Sequence, residues 1–487
     1  MNREELVKLE KEEIISVLFA IIQQQAAIIQ QQADMIQQLT EKNAELEARI
    51  NQNSRNSSKP PSTDGYRKQS KSLRKPSGKK VGGQQGHKGS GLKLTHKADI
   101  YVRHDPNECA CCPNVGECHA NRTVCETRYE IDIDIKPITT AHQSVQVECP
   151  RTAKTLVGSF PKGINSTMQY GVNLKALIVA LSTDGMVSIN RTHEILSGVF
   201  DIPVSTGTIA ETVSECAKKV ADTVEQIKEN ITKKPLINVD ETGIRVEKKT
   251  FWAHTASTED MTYIEVQQGR GKAAMDKIGI LLTFVGTVIH DCWASYFLFG
   301  NIRHGLCNAH LLRELTAVLE NTKQTWAQAL IDLLRMMKKV KEKLILKGCD
   351  EAPAYYHNRF SLIYDKILTE ALAQNPVPER DASKKGRPKR GKTGALVDRL
   401  IHHKDEYLLF FTDFSVPFDN NLAERSFRMF KVKQKVAGCF RTVGGANDFA
   451  AIMSYTGTAR KRGISAFHAI KDALLGNHFS LFLTGAN

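Results

Sequence analysis

Between Pro235 and Val246 the chain reads PLINVDETGIRV, an apolar, β-rich run with Asp240 in its middle. A buried strand normally carries no charge, and an unpaired buried carboxylate is expensive, so whatever this strand packs into must also give the acid a partner. A second β-rich run, FVGTVIHDCWASY from Phe284 to Tyr296, carries Asp291 at the end of its apolar part. A third acid, Glu424, stands in DNNLAERSFRMFKVKQK, where Asp419, Asn420 and Asn421 are N-cap candidates; capping at Asn421 puts Glu424 at N3 of an amphipathic helix. One reading of Glu424 is a capping-box acid, which would leave Asp240 a buried structural acid and Asp291 a turn residue. The other is a metal ligand, because Arg425, Arg428, Lys431, Lys433, Lys435 and Arg441 follow it closely and suit a phosphate track. Two strand acids and one helix acid supply the oxygen ligands of a two-metal site for phosphoryl transfer.

INVDETGIRV, HDCWASYF, HGLCNAHLLREL and above all DNNLAERSFRMFKVKQKVAGCFRTVGGA resemble the DDE transposases of the insertion-sequence-66 family, and the likeness covers essentially the whole chain. The resemblance implies a multidomain protein with an α/β RNase H-like catalytic core. It also implies that Asp240, Asp291 and Glu424 are the DDE acids, with a large insertion before the Glu, and that Mg²⁺-dependent cleavage at transposon ends is followed by 3′-OH strand transfer. In that scheme two Mg²⁺ ions are held, Asp240 bridging both and Asp291 and Glu424 each completing one, while Arg425, Arg428 and Lys433 hold phosphates. The partners implied are double-stranded DNA, both transposon ends and target, and accessory transposition proteins. A catalytically silent DNA-binding derivative and a plain nuclease of the same fold are the alternatives; the intact acidic triad speaks against the first, and strand joining separates a transposase from the second.

The chain has 487 residues, enough for several domains, and its formal charge of +14 points to an anionic polymer as partner. No apolar run approaches the roughly 18 residues of a membrane span, and the first, Ile14 to Ile22, follows acidic residues, which argues for a cytoplasmic, unprocessed chain. Residues 1–50 read as a coiled coil: QQQAAII followed by QQQADMI places Ile15, Ile22, Ile29, Ile36, Asn43 and Ile50 in one heptad column, with Leu18, Leu39 and Leu46 in its companion. Self-association as a homo-oligomer is the favoured reading, a single amphipathic helix docked within the chain the other. Residues 51–104 are rich in Ser, Gly, Pro, Lys and Arg; thirteen cations between Arg55 and Arg103 against Asp64 and Asp99 describe a disordered basic linker that lies along DNA phosphates.

Eleven cysteines, five of them from Cys109 to Cys125, suit a reducing compartment with a metal knuckle better than a disulfide framework. In residues 105–162, Cys109 and Cys112 form the C-x-x-C pair of a zinc-knuckle-like β domain. The family resemblance implies a second C-x-x-C, but Cys149-Pro150-Arg151-Thr152 stands there, so either another Cys or His substitutes and Zn²⁺ is bound, or the knuckle has decayed. Residues 163–232 are helical and helix-turn-helix-like, with a break at Asp201-Ile202-Pro203 and a Ser205 or Thr206 cap; such a pair is a DNA reader or a packing unit.

The RNase H-like core begins over residues 233–318, with strands at Leu236–Val246, Phe251–Ala256 and Tyr263–Gln267 and a helix near Ala273–Ile278. Cys307 and His310 are spaced to bind metal or to order the active-site side of a helix, and Arg313 is a phosphate ligand with Glu314 as its ion-pair partner. Residues 319–410 form the helical insertion with a basic loop, where Arg387 and Lys389 lie in a Lys385–Arg390 stretch of AT-hook form; a flexible phosphate-binding loop is the favoured reading, a minor-groove hook the other. The core resumes over 411–487, where C-terminal helices complete the chain. The cations expected on DNA are Arg425, Arg428, Lys431, Lys433, Arg441, Arg313, Arg387 and Lys389.

Overall fold

The computed structural model describes residues 11–53, 56–57, 97–104, 113, 123–133, 135–148, 150–151, 154–377 and 390–481. The knuckle cysteines Cys109, Cys112 and Cys149 and the basic-loop residues Arg387 and Lys389 lie outside them. The chain divides into two compact units: Met1–Lys71 with Met168–Thr192 and Ser205–Asn487, and Ser72–Thr167 with His193–Val204. In the second unit β1 (Gln146–Glu148) and β2 (Thr155–Val157) pair antiparallel, Gln146 opposite Val157.

The first unit opens with α1 (Lys11–Ile50), one uninterrupted helix. Ile15, Leu18, Ile22, Ile29, Ile36, Leu39 and Leu46 are all exposed along it, so its heptad seam is uncovered on the single chain. After α2 (Val172–Val179), a π-helical turn at Ala180–Asp184 and α3 (Ile189–Phe200) comes α4 (Thr206–Ile231). Ser205 caps α4 as its sequence suggests, its hydroxyl accepting the Thr208 N–H at 3.1 Å. The inner face of α4, from Ile209 through Val220 to Ile231, is fully buried.

A five-stranded mixed sheet organises the rest. Its strands are β3 (Leu236–Val246), β4 (Lys249–Ser257), β5 (Thr262–Gln267), β6 (Thr287–His290) and β7 (Arg303–Leu306), in spatial order β5-β4-β3-β6-β7. The first three form an antiparallel meander, and β6 and β7 run parallel to β3 and to each other. The parallel pairing requires a crossover, and α5 (Lys272–Ile278) and α6 (Ile280–Thr283) provide it. Alternation along the strands sorts their side chains between layers. Ile237, Val239 and Val288 enter a core with α4, α13 (Val443–Lys461) and α14 (Ala466–Leu475). Ile289 and Leu306 enter another, built by α7 (Asn308–Thr322), α8 (Thr325–Ile345), α9 (Ala354–Gln374), α10 (Gly391–His402) and α11 (Lys404–Thr412) around Trp326 and Tyr364. A third joins Ile244 and Val246 to Phe427 and Phe430 of α12 (Asn421–Ala437).

Where β6 starts beside β3, the backbones approach so closely that a Cβ on Gly286 would lie 2.5 Å from the Pro235 carbonyl oxygen, at a φ of +156°. Thr287 N–H donates to that same oxygen at 2.9 Å, so neither strand can retreat without losing the bond. Gly286→Ala is therefore expected to destabilise the protein by about 1–3 kcal/mol. Gly300→Ala, where nothing lies within 4 Å of the added carbon, should change the denaturant midpoint little in the same assay.

Candidate active site

Asp240 is half-buried in the middle of the central strand, its Oδ1 accepting the Glu241 N–H at 2.9 Å. Asp291 follows directly on the C-terminal end of the neighbouring parallel strand β6, and its Oδ1 accepts the Trp293 N–H at 3.2 Å. Glu424 comes from the first turn of α12. Burial raises the Asp240 carboxyl well above the usual carboxylate range; the charges of Glu241 and Asp291 add to the rise, with Glu424 contributing. Asp291 is raised for the same first reason, then by Glu241, with His310 and Arg270 opposing. Acids far apart in sequence thus stand close enough to repel one another.

Glu241, which alternation directs to the opposite face of β3 from Asp240, is paired on both oxygens. Arg270 Nε donates to its Oε1 at 2.7 Å and the Tyr296 hydroxyl donates to its Oε2. The same guanidinium lies 3.9 Å from the Trp293 ring centre and 5.0 Å from that of Trp252, and its Nη2 is 3.9 Å from Asp291 Oδ2. Arg270 is held by two indoles and one buried acid, and from there it reaches the site.

The start of α12 is fixed by Asn420. Its Nδ2 donates to the Val239 carbonyl at 2.8 Å, its Oδ1 accepts from Asn238 Nδ2 at 2.8 Å, and its N–H donates to Cys307 Sγ at 3.2 Å. All three partners are buried, so the helix begins pinned to the strand that carries Asp240. Of the three cap candidates Asn420 precedes the helix, so Glu424 is at N4 and not at the N3 place that capping at Asn421 would give, and the Asn420 side chain bonds to β3 and not to its own helix. Asp419 accepts the Asn421 N–H instead, at 3.1 Å. Freed from capping, Glu424 has a buried Oε1 without a hydrogen-bond partner, 3.6 Å from His310 Nδ1 and 3.7 Å from Arg313 Nη2. Burial, and then Arg313, lowers the His310 pKa.

The other end of α12 is anchored too. After Gly438, at a φ of +79°, Phe440 bridges to Val246 in parallel, its N–H donating to Arg245 O at 2.9 Å and its carbonyl accepting from Glu247 N at 3.0 Å. Between these anchors Arg425, Arg428 and Lys431 are exposed, as is Arg441 beyond them, although Lys431 Nζ also reaches Gly243 O at 2.5 Å. Lys433 is committed inward, donating to Ser182 O at 2.6 Å and Val187 O at 3.1 Å, and burial pulls its pKa down to about 8. Arg313 does not pair with Glu314: adjacent helical residues point about 100° apart, and Glu314 pairs with Arg399. Sequence reasoning missed Glu241, Arg270, Tyr296 and Asn238, and offered Asn420 only as a cap; for the first four only the Asp-Glu doublet of an otherwise apolar strand offered a signal.

The residues present fit a cation. Carboxylates that raise one another, and a glutamate oxygen buried without a hydrogen-bond partner, would be stabilised by a divalent ion, while Arg270 and Arg313 stand only at the edge of the cluster, at 3.9 Å from Asp291 and 3.7 Å from Glu424.

A mixed sheet carrying clustered acids on adjacent parallel strands, flanked by an exposed basic helix, belongs to the α/β proteins that meet a polyanion. Residues 167–448, more than half of the chain, match the model of the Transposase IS66 family, and the chain belongs to that family. Membership carries a transposase role and DNA as the partner. Residues 5–93 match a family of unknown function (DUF6444). No curated protein matches the chain.

The electrostatics give a stability test. Asp240 and Asp291 titrate higher folded than unfolded, so each disfavours the fold when charged; the cost is absent below the unfolded pKa and grows as pH rises towards the folded one. With chelator present, Asp240→Asn should therefore raise the melting midpoint at pH 7, by about 2–4 °C for each kcal/mol relieved. The gain over wild type should shrink as pH falls and the native Asp240 takes up its proton. A lower midpoint at neutral pH would mean that Asp240 is stabilised within the site.

Proposed function

We propose that the protein is a DDE transposase with an RNase H-like core, in which Asp240, Asp291 and Glu424 hold divalent metal and catalyse cleavage at transposon ends followed by transfer of the 3′-OH to target DNA. The observation that carries this reading is that β3, the end of β6 and the start of α12, the last pinned to β3 through Asn420, bring the charges of Asp291 and Glu424 to bear on Asp240. A meander followed by two strands parallel to its first, in the order β5-β4-β3-β6-β7, supports the assignment of the core.

Mg²⁺ held by the three carboxylates would polarise the scissile phosphate and lower the pKa of attacking water. The protein's own groups do the rest. Asn420 pins the start of the helix that carries Glu424 to the strand that carries Asp240, and Arg270 pairs with Glu241 while leaving its edge towards Asp291. Arg425, Arg428 and Arg441 present exposed guanidinium groups for backbone phosphates, with Arg313 next to Glu424 as an inner ligand. Lys433 orders the turn before α3 by bonding its carbonyls, so its contribution to DNA binding is indirect. A structural Zn²⁺ on Cys109, Cys112 and Cys149 and phosphate contacts from Arg387 and Lys389 belong to the same reading, carried by the sequence alone, as does action in the cytosol.

Asp240→Asn, Asp291→Asn and Glu424→Gln should each lower Mg²⁺-dependent end cleavage by about 10³-fold or more while leaving end binding within a few-fold of wild type, because removing a metal ligand removes transition-state stabilisation and not the phosphate contacts. Cleavage and gel-shift assays on matched DNA ends check this. Wild-type cleavage by any one of the three would strike that residue from the triad.

Pairing two ends calls for at least two catalytic chains, and α1 offers the exposed seam for it. Ile29→Lys combined with Ile36→Lys, which would set ammonium groups opposite their own copies, should shift the protein towards monomer in light scattering and suppress paired-end cleavage while sparing single-end binding. A variant that keeps the wild-type mass would assign α1 to packing within its own chain.

A further inference from the structure

We propose that Cys307, His310 and Glu424 form a second metal site, selective for a thiophilic tetrahedral cation of the zinc class, and that an ion bound there withdraws Glu424 from the carboxylate cluster and inhibits the enzyme. The inhibitory half rests on the catalytic reading of Glu424; the binding half does not.

Cys307 is the residue that joins β7 to α7, His310 lies in the first turn of that helix, and Glu424 lies in the first turn of α12. One ligand atom from each lies within 4.8 Å of the other two. His310 Nδ1 and Glu424 Oε1 are both buried with no hydrogen-bond partner, and at 3.6 Å they are too far apart to bond each other. Buried polar atoms left in this way are costly, and a shared ion satisfies both at once.

The spacing discriminates between ions. Nitrogen and oxygen ligands at about 2.05 Å from a tetrahedral zinc lie about 3.4 Å apart. Adjacent ligands of octahedral magnesium lie about 2.9 Å apart. The observed 3.6 Å is near the first, and a thiolate with an imidazole selects zinc over magnesium in any case.

Cys307 Sγ is buried and already accepts the Asn420 N–H at 3.2 Å, which orients a sulfur lone pair and favours charge on sulfur. Without metal the thiol is neutral, burial having pushed it up to about 12. Coordination therefore breaks the S–H bond, forms the metal–sulfur bond and releases one proton to solvent. Arg313 stands 3.7 Å from the same Glu424 oxygen, beyond hydrogen-bond reach, so it flanks the position without holding it. Three protein donors leave the fourth tetrahedral place to water. The ion would compete for Glu424 with whatever the Asp240 and Asp291 carboxylates hold.

The test is a Co²⁺ titration of the full-length protein, read as the difference between wild type and Cys307→Ser, in which the cysteines from Cys109 to Cys149 contribute equally and cancel. The expected result is a near-ultraviolet sulfur-to-cobalt band with intense tetrahedral d–d absorption, displaced by Zn²⁺, lost in Cys307→Ser, weakened in His310→Ala and retained in Asp240→Asn. Circular dichroism of Cys307→Ser checks its fold, and His310→Ala reads the same site should that variant fail. A difference spectrum without these bands, or bands unchanged in His310→Ala, would overturn the site. In Mg²⁺-driven cleavage, micromolar Zn²⁺ should slow wild type at least tenfold and Cys307→Ser less than twofold; equal slowing would overturn the inhibition. A Cys307-dependent cobalt band with no Mg²⁺-dependent cleavage would support the ion site and contradict the catalytic reading, and cleavage without the band would do the reverse.

Discussion

The structure depends on one buried amide. Asn420 bonds the Val239 carbonyl, the Asn238 side chain and Cys307 Sγ, and these partners lie on β3 and at the start of α7. Three elements distant in sequence are thereby held at one point, and Glu424 is delivered one turn along α12 from it. Each such bond contributes about 0.5–1.5 kcal/mol net, but leaving the partners buried and unsatisfied costs about 1–3 kcal/mol apiece, so the clamp fixes a geometry more than it adds stability. Phe440 repeats the arrangement at the far end of the helix, and between the two anchors Phe427 and Phe430 pack α12 onto the β3–β4 face. A helix fastened in this way cannot slide, which suits a side chain that must meet two others.

Charge explains the rest of the site. Asp240, Glu241, Asp291 and Glu424 converge on the sheet, and the chain neutralises them unequally. Glu241 receives Arg270 and Tyr296, whereas Asp240 receives a single backbone N–H and Glu424 Oε1 has no hydrogen bond, only the Arg313 guanidinium at 3.7 Å. A fold selected for stability alone would not keep the last two in that state. The unequal treatment sets Glu241, which is fully paired, apart from its neighbour Asp240 on the same strand, as the proposed metal role of Asp240 requires. Arg270 serves both groups, because its link to Glu241 is short and its approach to Asp291 is long.

Much of this was legible in the sequence. The strand carrying Asp240, the meander after it and the end of the Asp291 strand all follow from β-rich runs with fixed boundaries, and the heptad column of α1 and the Ser205 cap follow from local patterns. The misread details have a common cause, namely tertiary partners that overrode local rules. Asn420 bonds across to β3 where a capping pattern pointed to Asn421, Glu314 pairs with Arg399 from α10, and Lys433 turns inward to the carbonyls near α2 although it sits in a basic run. Arg270 and Tyr296 carried no local signal, because nothing near either in sequence identifies Glu241 as its partner. The Cys307 and His310 spacing was visible, but the third donor, Glu424, is joined to them only by the fold.

The central claim is that Asp240, Asp291 and Glu424 together hold the divalent metal of one site. It is tested most directly by replacing Mg²⁺ with Fe²⁺ and generating hydroxyl radicals at the bound ion with ascorbate and peroxide, then mapping the polypeptide cuts by mass spectrometry. The account predicts cuts clustered about residues 240, 291 and 424 and suppressed by excess Mg²⁺. Cuts that fall elsewhere, or at only one of the three, would contradict it.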